Sequence, residues 1–329
     1  MRTLRLTIII LACASAIAAE AQTGILRKID RLLDKRDMRA DAKTDTTYVG
    51  RPEGRWTVKL RMNVSGTNIL TRGLIGGGPF TTRLYADAKT TVGASVSYRG
   101  LSLGFSLNPA KLAGWNKDYE LNFTSYGNRV GGDIVLTSAK TFRGRSEYGG
   151  AEHEIARGSV GMETVQANAY YAFNRRRFSF PAAFSQSKVQ RRSCGTWLLG
   201  LSAFAGRIDT EPEEVLGVAG ARLSMVNVAV GGGYAYNFVT RRKWLIHVSA
   251  VPTLVVYARN RLTVGDVRQR APLKFPSFIS VGRLAVVRHF GNKFVSLSAV
   301  VNLWHQGDRK QMMIESTKWR ARMSYGFRF

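Results

Sequence analysis

The sequence predicts an all-β protein: a closed, antiparallel transmembrane β-barrel of about twelve strands, preceded by a short N-terminal periplasmic helical segment. Three observations predict it. The chain finishes on Met323-Ser324-Tyr325-Gly326-Phe327-Arg328-Phe329, a strand with one apolar face that stops on a phenylalanine. It opens with the charged, apolar, small-residue order of an export signal. Between the two runs a two-residue hydrophobic rhythm, rich in glycine (33) and poor in proline (8). That is the apolar-out, polar-in pattern of strands that cross a membrane in a ring.

At the front, Arg2 and Arg5 precede an apolar run from Leu6 to Ile17, followed by Ala18, Ala19 and Ala21. Residues 1–21 are therefore expected to be a cleaved signal peptide. The run is shorter than the roughly 20 apolar residues of a membrane-spanning helix. A competing reading takes Ile10-Leu11-Ala12-Cys13 as a lipoprotein box that leaves Cys13 acylated. Residues 22–54 are expected to be a periplasmic leader. Within it Leu26, Ile29, Leu32 and Leu33 recur at helical spacing over residues 24–38, as a short amphipathic helix or a frayed one. Residues 55–329 are expected to be the barrel.

From Trp56 the period is two. Trp56, Val58, Leu60, Met62 and Val64 alternate with Thr57, Lys59, Arg61 and Asn63. In 82–98, Leu84, Ala86, Ala88, Val92, Ala94 and Val96 alternate with Arg83, Tyr85, Asp87, Lys89 and Ser95. Leu101, Leu103, Phe105 and Leu107 continue the rhythm, and further strands are expected near 118–126, 130–141, 163–173, 194–206, 222–238, 243–257, 277–289, 293–304 and 317–329. Short turns at 99–100, 127–128, 240–242 and 291–292 all fall at one end, which short-turn asymmetry makes periplasmic. Longer connections near 65–81, 109–117, 142–162, 207–221, 258–276 and 305–316 fall at the other. Trp56, Tyr98, Phe173, Phe238, Trp244 and Phe329 gather at the short-turn end, where an interfacial aromatic girdle belongs. Residues 174–193 break the pattern with a long connection on that side. Pro181 argues against a central strand there, so the segment plugs the lumen, lies beneath the barrel, or is a solvated loop.

Several stretches resemble a known group: Asp45-Thr46-Thr47-Tyr48-Val49-Gly50-Arg51-Pro52, Tyr98-Arg99-Gly100-Leu101-Ser102-Leu103, Ser106-Leu107-Asn108-Pro109-Ala110-Lys111, Ser179-Phe180-Pro181-Ala182-Ala183-Phe184-Ser185-Gln186-Ser187 and Tyr325-Gly326-Phe327-Arg328-Phe329. They are similar to a Bacteroidota outer-membrane family catalogued as domain of unknown function 4421. The resemblance runs from about Asp45 to Phe329. It implies an outer-membrane barrel from such a bacterium and carries over no catalytic or binding residue.

The formal charge is +27. With an export signal this points away from nucleic acid and toward outer-membrane lipids or small anions as partners. On the expected inner face, Arg55, Lys59, Arg61, Arg83, Lys89, Arg320, Arg322 and Arg328 form a basic wall, because the last strand closes on the first. Asp87, Glu120 and Asp133 are the expected inward counter-charges. The wall either draws anions through a narrow channel or pairs internally and holds a filled lumen shut. Tyr325, Phe327 and Phe329 are the expected signal for the barrel-assembly machinery. Arg175-Arg176-Arg177, Arg191-Arg192 and Arg241-Arg242-Lys243 are expected to meet lipid headgroups or solvent at the periplasmic end.

No cofactor and no metal ligand set is expected. His153, His247, His289 and His305 lack metal spacing, and Cys194, alone once the signal is removed, forms no intramolecular disulfide. Glycines 76–78 and 231–233 lack the lysine of a phosphate loop and are expected to serve a loop and a bent strand. The pair His247 and Ser249 raises lipid-modifying catalysis, but parity places it toward the lumen. The expected protein is thus a non-enzymatic outer-membrane barrel, either a narrow anion-favouring channel or a non-conducting structural, lipid-binding or partner-binding component.

Overall fold

The computed structural model describes residues 43–75, 78–98, 101–109, 114, 118–210, 220–265, 267–270, 277–308 and 312–329. The expected signal peptide, Cys13 and the leader helix lie outside the described residues. The chain divides into two units, Met1–Thr46 and Thr47–Phe329. The second is a barrel.

Its strands follow in chain order. A short β1 (Val49–Gly50) precedes β2 (Trp56–Ile75), β3 (Gly78–Tyr85), β4 (Lys89–Tyr98), β5 (Leu101–Leu107), β6 (Tyr119–Ser125), β7 (Val130–Tyr148) and β8 (Ala151–Ala172). A helix α1 (Phe180–Phe184) and a short β9 (Val189–Gln190) lead to β10 (Cys194–Thr210), β11 (Ala221–Val239) and β12 (Trp244–Val264). The chain finishes with β13 (Val267–Arg270), β14 (Phe278–Phe290), β15 (Lys293–Asp308) and β16 (Met312–Arg328).

All pairings are antiparallel. Ten strands close a ring, β2-β3-β7-β8-β10-β11-β12-β14-β15-β16 and back to β2. The closing ladder runs from Met312↔Gly73 to Arg328↔Thr57. Beyond it, Trp56 N donates to Phe329 O (2.9 Å) and Phe329 N to Trp56 O (3.1 Å). In the half nearest the C-terminus, β4 takes the place of β3 beside β2, β5 adds to β4, and β6 adds to β7. The twelve expected strands are therefore all present, but β5 and β6 are short insertions that widen one side of a ten-strand ring.

The fork where that side widens is a bulge. Ser65 of β2 faces Lys89, while Asn68 faces Tyr85. Three steps on β2 thus oppose four on its partner, and an extra residue reverses which face each side chain takes. The fork is pinned by buried groups. Asp118 accepts from the backbone N of Lys140 (2.6 Å) and from the hydroxyl of Thr141 (2.7 Å). Lys89 Nζ approaches Asp118 (3.8 Å) and donates to Ser138 O (3.2 Å). These bonds satisfy backbone that the bulges of β7 at Ala139–Gly144 release from the ladder.

Two of the far-end connections are shorter than expected. Most of 65–81 and 142–162 is strand, and β7 turns into β8 at Gly149-Gly150, both with positive φ (59° and 84°). Beyond a membrane a strand needs no apolar face, so the alternation fades while the ladder continues. The glycines at 231–233 lie within β11. The β11–β12 pairing lapses between Val230↔Leu254 and Tyr234↔Ala250. A Cβ on Gly231 would lie 2.2 Å from Pro252 O.

Outside, large apolar side chains are exposed around the ring: Leu60, Leu121, Phe123, Leu199, Leu201, Val248, Leu284, Leu297 and Met323 among them. No described helix is long and apolar enough to cross a membrane; the strands carry this belt. At the C-terminal end, aromatic pairs ring the edge: Trp56–Tyr98 (4.6 Å), Tyr171–Phe173 (5.2 Å), Tyr236–Phe238 (4.4 Å) and Phe327–Phe329 (5.9 Å between centroids). Aqueous exposure of such a surface is unfavourable at about 25 cal/mol per Å², so the wall is that of a transmembrane barrel.

Because Gly231 has no room for a side chain, Gly231→Val is expected to destabilise the barrel by at least about 1–3 kcal/mol, the range for overpacking. A lowered melting temperature of the heat-modifiable band on gels checks this.

Candidate functional site

Three layers fill the lumen. Nearest the C-terminal end is the segment 174–193, which enters the barrel. Asn174 starts it, accepting from Phe178 N (3.0 Å) and donating its side-chain amide to Gly195 O (3.0 Å). Ser179 caps α1, its hydroxyl accepting from Ala182 N (3.3 Å), and Pro181 stands in the first turn where no backbone donor is needed. Phe178, Phe180, Ala182 and Ala183 are fully buried, packed with Leu198, Ala235, Leu245 and Val287 of the wall. Of the three placements open to this segment, the structure selects the plug.

Polar groups clamp the plug from every side. The side-chain amide of Gln190 donates to Arg177 O (2.6 Å), while its oxygen accepts from Ser179 N (3.0 Å) and from Asn237 (3.1 Å). β9 pairs with β1 through Val49↔Gln190. Ser179 Oγ donates to Asn128 Oδ1 in the β6–β7 turn (2.8 Å). Past α1, Gln186 takes a positive φ (54°). Its carbonyl accepts from Arg328 (2.8 Å), and Lys59 donates to Ser185 O. The aromatic ring of Phe294 lies beneath both cations (4.6 and 5.6 Å). Cations at the carbonyl end of a helix are favourably placed. Lys59 and Arg328 are thus plug ligands.

His247 and Ser249 do face the lumen, at 0% and 4% exposure. Their side chains are bonded: Nε2 to Ser249 Oγ at 3.0 Å, and Nδ1 to Asn237 Oδ1 at 2.7 Å. The Asn237 amide nitrogen donates to Ser179 O (3.1 Å). Its oxygen is therefore the acceptor, Nδ1 carries the proton, and Nε2 accepts from the serine hydroxyl. This is the polarity of a nucleophile, base and orienting group. Yet Phe178, Phe180 and Phe184 stand 5.0–6.0 Å from the imidazole and cover it. What the network does here is fasten the plug to β11 and β12.

The middle layer is charged. Glu120 meets Lys318 (3.4 Å), Arg320 (4.0 Å) and the amide of Asn122 (2.7 Å). Arg322 donates to Asn63 (2.6 Å). Asp133 pairs with Arg283 at 2.9 Å, both side chains 2% exposed, and accepts from Asn168 (3.0 Å). Asn168 reaches on to Asn302 (3.3 Å) and Ser202 (3.0 Å). The third layer is apolar again: Ile69, Leu84, Phe142, Met162, Leu223, Met225, Ile279, Trp304 and Ile314. A cavity of about 20 Å³ between the two, lined by Gln166, Asn302, Trp304 and Lys318, has room for roughly one water.

Six of the eight basic residues expected on the inner wall are there: Lys59, Arg61, Lys89, Arg320, Arg322 and Arg328. Two are not. Arg55 precedes β2 and is exposed below the wall. Arg83 is exposed on the outside, because the bulge at 86–88 turns Leu84 inward instead. Asp87 is corrected for the same reason. It pairs with Arg157 (2.7 Å) and Arg143 (3.5 Å), both about half exposed, and is no lumen counter-charge. Glu120 and Asp133 are inward. Tyr325, Phe327 and Phe329 lie on the lipid-facing side of the closing strand.

Sequence reasoning missed Arg283, Lys318, Asp118, Asn237 and Gln190. Parity on β16 was signal enough for Lys318, which alternates with Arg320 and Arg322. β14 gives none for Arg283, since it is apolar on both faces. Among the described residues no cluster of His, Cys, Asp or Glu could hold a metal ion. Cys194 is free at the start of β10.

Removing one partner of a buried pair strands the other charge. Asp133→Leu alone is therefore expected to destabilise the barrel by about 3–5 kcal/mol, and Asp133→Leu with Arg283→Met to recover most of the loss. Urea unfolding in detergent measures both. Replacing Lys59 and Arg328 together by alanine is expected to open 185–193 to limited proteolysis while the barrel band stays intact.

The profile of a family described as Domain of unknown function (DUF4421) matches residues 43–329. No curated protein matches the chain. Among solved structures, the outer membrane protease OmpT from Escherichia coli is similar at 6% identity and a TM-score of 0.46, over 84% of this chain and 97% of that one. The translocator domain of the autotransporter NalP from Neisseria meningitidis is similar at 10% identity and 0.31, over 94% and 100%. The outer membrane protein OprG from Pseudomonas aeruginosa is similar at 8% and 0.30, over 85% and 99%.

Proposed function

Since the chain belongs to the DUF4421 family of unknown function, we propose, from the geometry of its lumen, a closed, non-conducting outer-membrane barrel. In this reading the C-terminal end is periplasmic, as its short turns and aromatic girdle suggest. Tyr325, Phe327 and Phe329 present the closing strand to the barrel-assembly machinery, and the source is a bacterium of the Bacteroidota type. The single observation that carries the proposal is the filled lumen. Plug, charged layer and apolar layer follow one another along the axis: Lys59 and Arg328 are engaged with the plug, Lys318 and Arg320 with Glu120, Arg283 with Asp133, Lys89 with Asp118 and Arg322 with Asn63.

A narrow anion-favouring channel is the second reading. It is favoured by the excess of inward cations over Glu120, Asp133 and Asp118, which would repel other cations. It requires the plug to leave. Catalysis is not proposed: the Ser249 hydroxyl is spent on His247 beneath three phenylalanines.

Planar-bilayer recording tests the choice. The wild-type protein is expected to show no steady unitary conductance, and sustained anion-selective steps would establish the channel instead. Ser249→Ala is expected to leave lipid turnover in reconstituted vesicles unchanged.

A further inference from the structure

On the outer surface, β12 changes character abruptly. Ile246, Val248, Leu254, Val256 and Tyr257 are exposed and apolar, and then Arg259 and Arg261 point the same way. From the aromatic edge at Trp244 to Arg259 is 15 residues, one of them absorbed by the bulge at 256–257, where Val228↔Tyr257 is followed by Ala229↔Val255. At about 3.3 Å per residue and a tilt of 35–45°, this spans roughly 35 Å along the barrel axis. An apolar belt about 25 Å tall has ended by then. The two arginines stand at headgroup level of the far leaflet.

The strands beside them extend the site. Arg261 faces Ser224, Ser224 faces Arg207, and Arg207 faces Glu163 across the sheet. One row lower, toward the belt, Arg259 faces Val226, Val226 faces Ala205, and Ala205 faces Val165. The small Ala205 between valines leaves a groove of about 610 Å³, which these residues line. Its top is basic and its floor apolar. Arg207 is bonded to Glu163 (2.8 Å) and Asp209 (3.4 Å). Among the described residues Arg259 and Arg261 have no acidic partner.

We propose that this groove binds one membrane lipid with a phosphate-bearing headgroup. The phosphate rests on Arg259 and Arg261, and an acyl chain lies over Val226, Ala205 and Val165. Two arginines at i and i+2, their Cα atoms about 7 Å apart on one face of a strand, can fork a phosphate between their flexible guanidinium groups. The chemistry commits the occupant: a free anion would leave the apolar floor uncovered, and a neutral lipid would leave the arginines unmatched. The proposal rests on the membrane-barrel reading above.

The test uses the purified protein in neutral detergent and native mass spectrometry, with bisphosphorylated lipid A as the probe. One retained lipid A per protein is expected. Arg259→Ala with Arg261→Ala should reduce its retention roughly 10- to 30-fold, while Arg241→Ala with Arg242→Ala at the opposite end should not. Arg259→Lys with Arg261→Lys keeps the charge and should retain an intermediate amount, which guards against a folding defect in the alanine variant. Equal retention by the alanine variant, or equal retention of dephosphorylated lipid A by the wild type, would overturn the proposal. So would displacement by inorganic phosphate, which would make the site one for a free anion. A protein that stays soluble without detergent would instead defeat the membrane reading itself.

Discussion

The ladder between β2 and β16 is the interaction on which the rest depends. In hydrocarbon an unpaired amide has no water to turn to, and each orphaned group is unfavourable by several kcal/mol. An open sheet with this apolar outer face would present two such edges. Joining the first strand to the last, from Gly73↔Met312 down to Thr57↔Arg328, removes both. Closure has a second consequence. It commits every alternate side chain to the interior, so the lumen must be reconciled with whatever those positions carry.

Here they carry charge, and the structure answers with three layers. Lys59 and Arg328 are matched by carbonyls at the end of α1 rather than by acids. Lys318 and Arg320 share Glu120, and Arg283 has Asp133. Above and below, aromatic and aliphatic side chains exclude water and strengthen those bonds. The plug is therefore part of the electrostatics of the wall as much as a stopper. Two of the stretches that carry the family resemblance, 45–52 and 179–187, meet through β1, β9 and Gln190, and the C-terminal stretch joins them through Arg328 and Gln186. Residues far apart in the chain thus build one assembly.

How much was legible varied with the physics at each position. Where one face meets lipid, as in β2, β4 and β16, alternation placed Lys59, Arg61, Lys89, Arg320, Arg322 and Arg328 on the inside. Where the strand rises past the apolar belt the pattern has no reason to persist, and 65–81 and 142–162 read as loops although they are largely strand. A single inserted residue at 86–88 defeated parity altogether, sending Arg83 and Asp87 outward, because a count of two has no memory across a bulge. His247 and Ser249 were placed in the lumen correctly. Their hydrogen bond, and the asparagine that completes it, depended on register between β11 and β12.

What the sequence alone determined is the class and direction of the wall: a two-residue period with one greasy face leaves a closed ring as the stable arrangement, and it marks which end bears the aromatic edge. Only the tertiary structure decided what fills the ring. The plug has no period of its own, since these bonds run to residues about 50 to 140 positions away in the chain, from Asn128 in a turn and Asn237 on β11 to Lys59 and Arg328 on the closing strands. Pairings of that range depend on shear and register, which arise when the ring closes and are written in no local pattern.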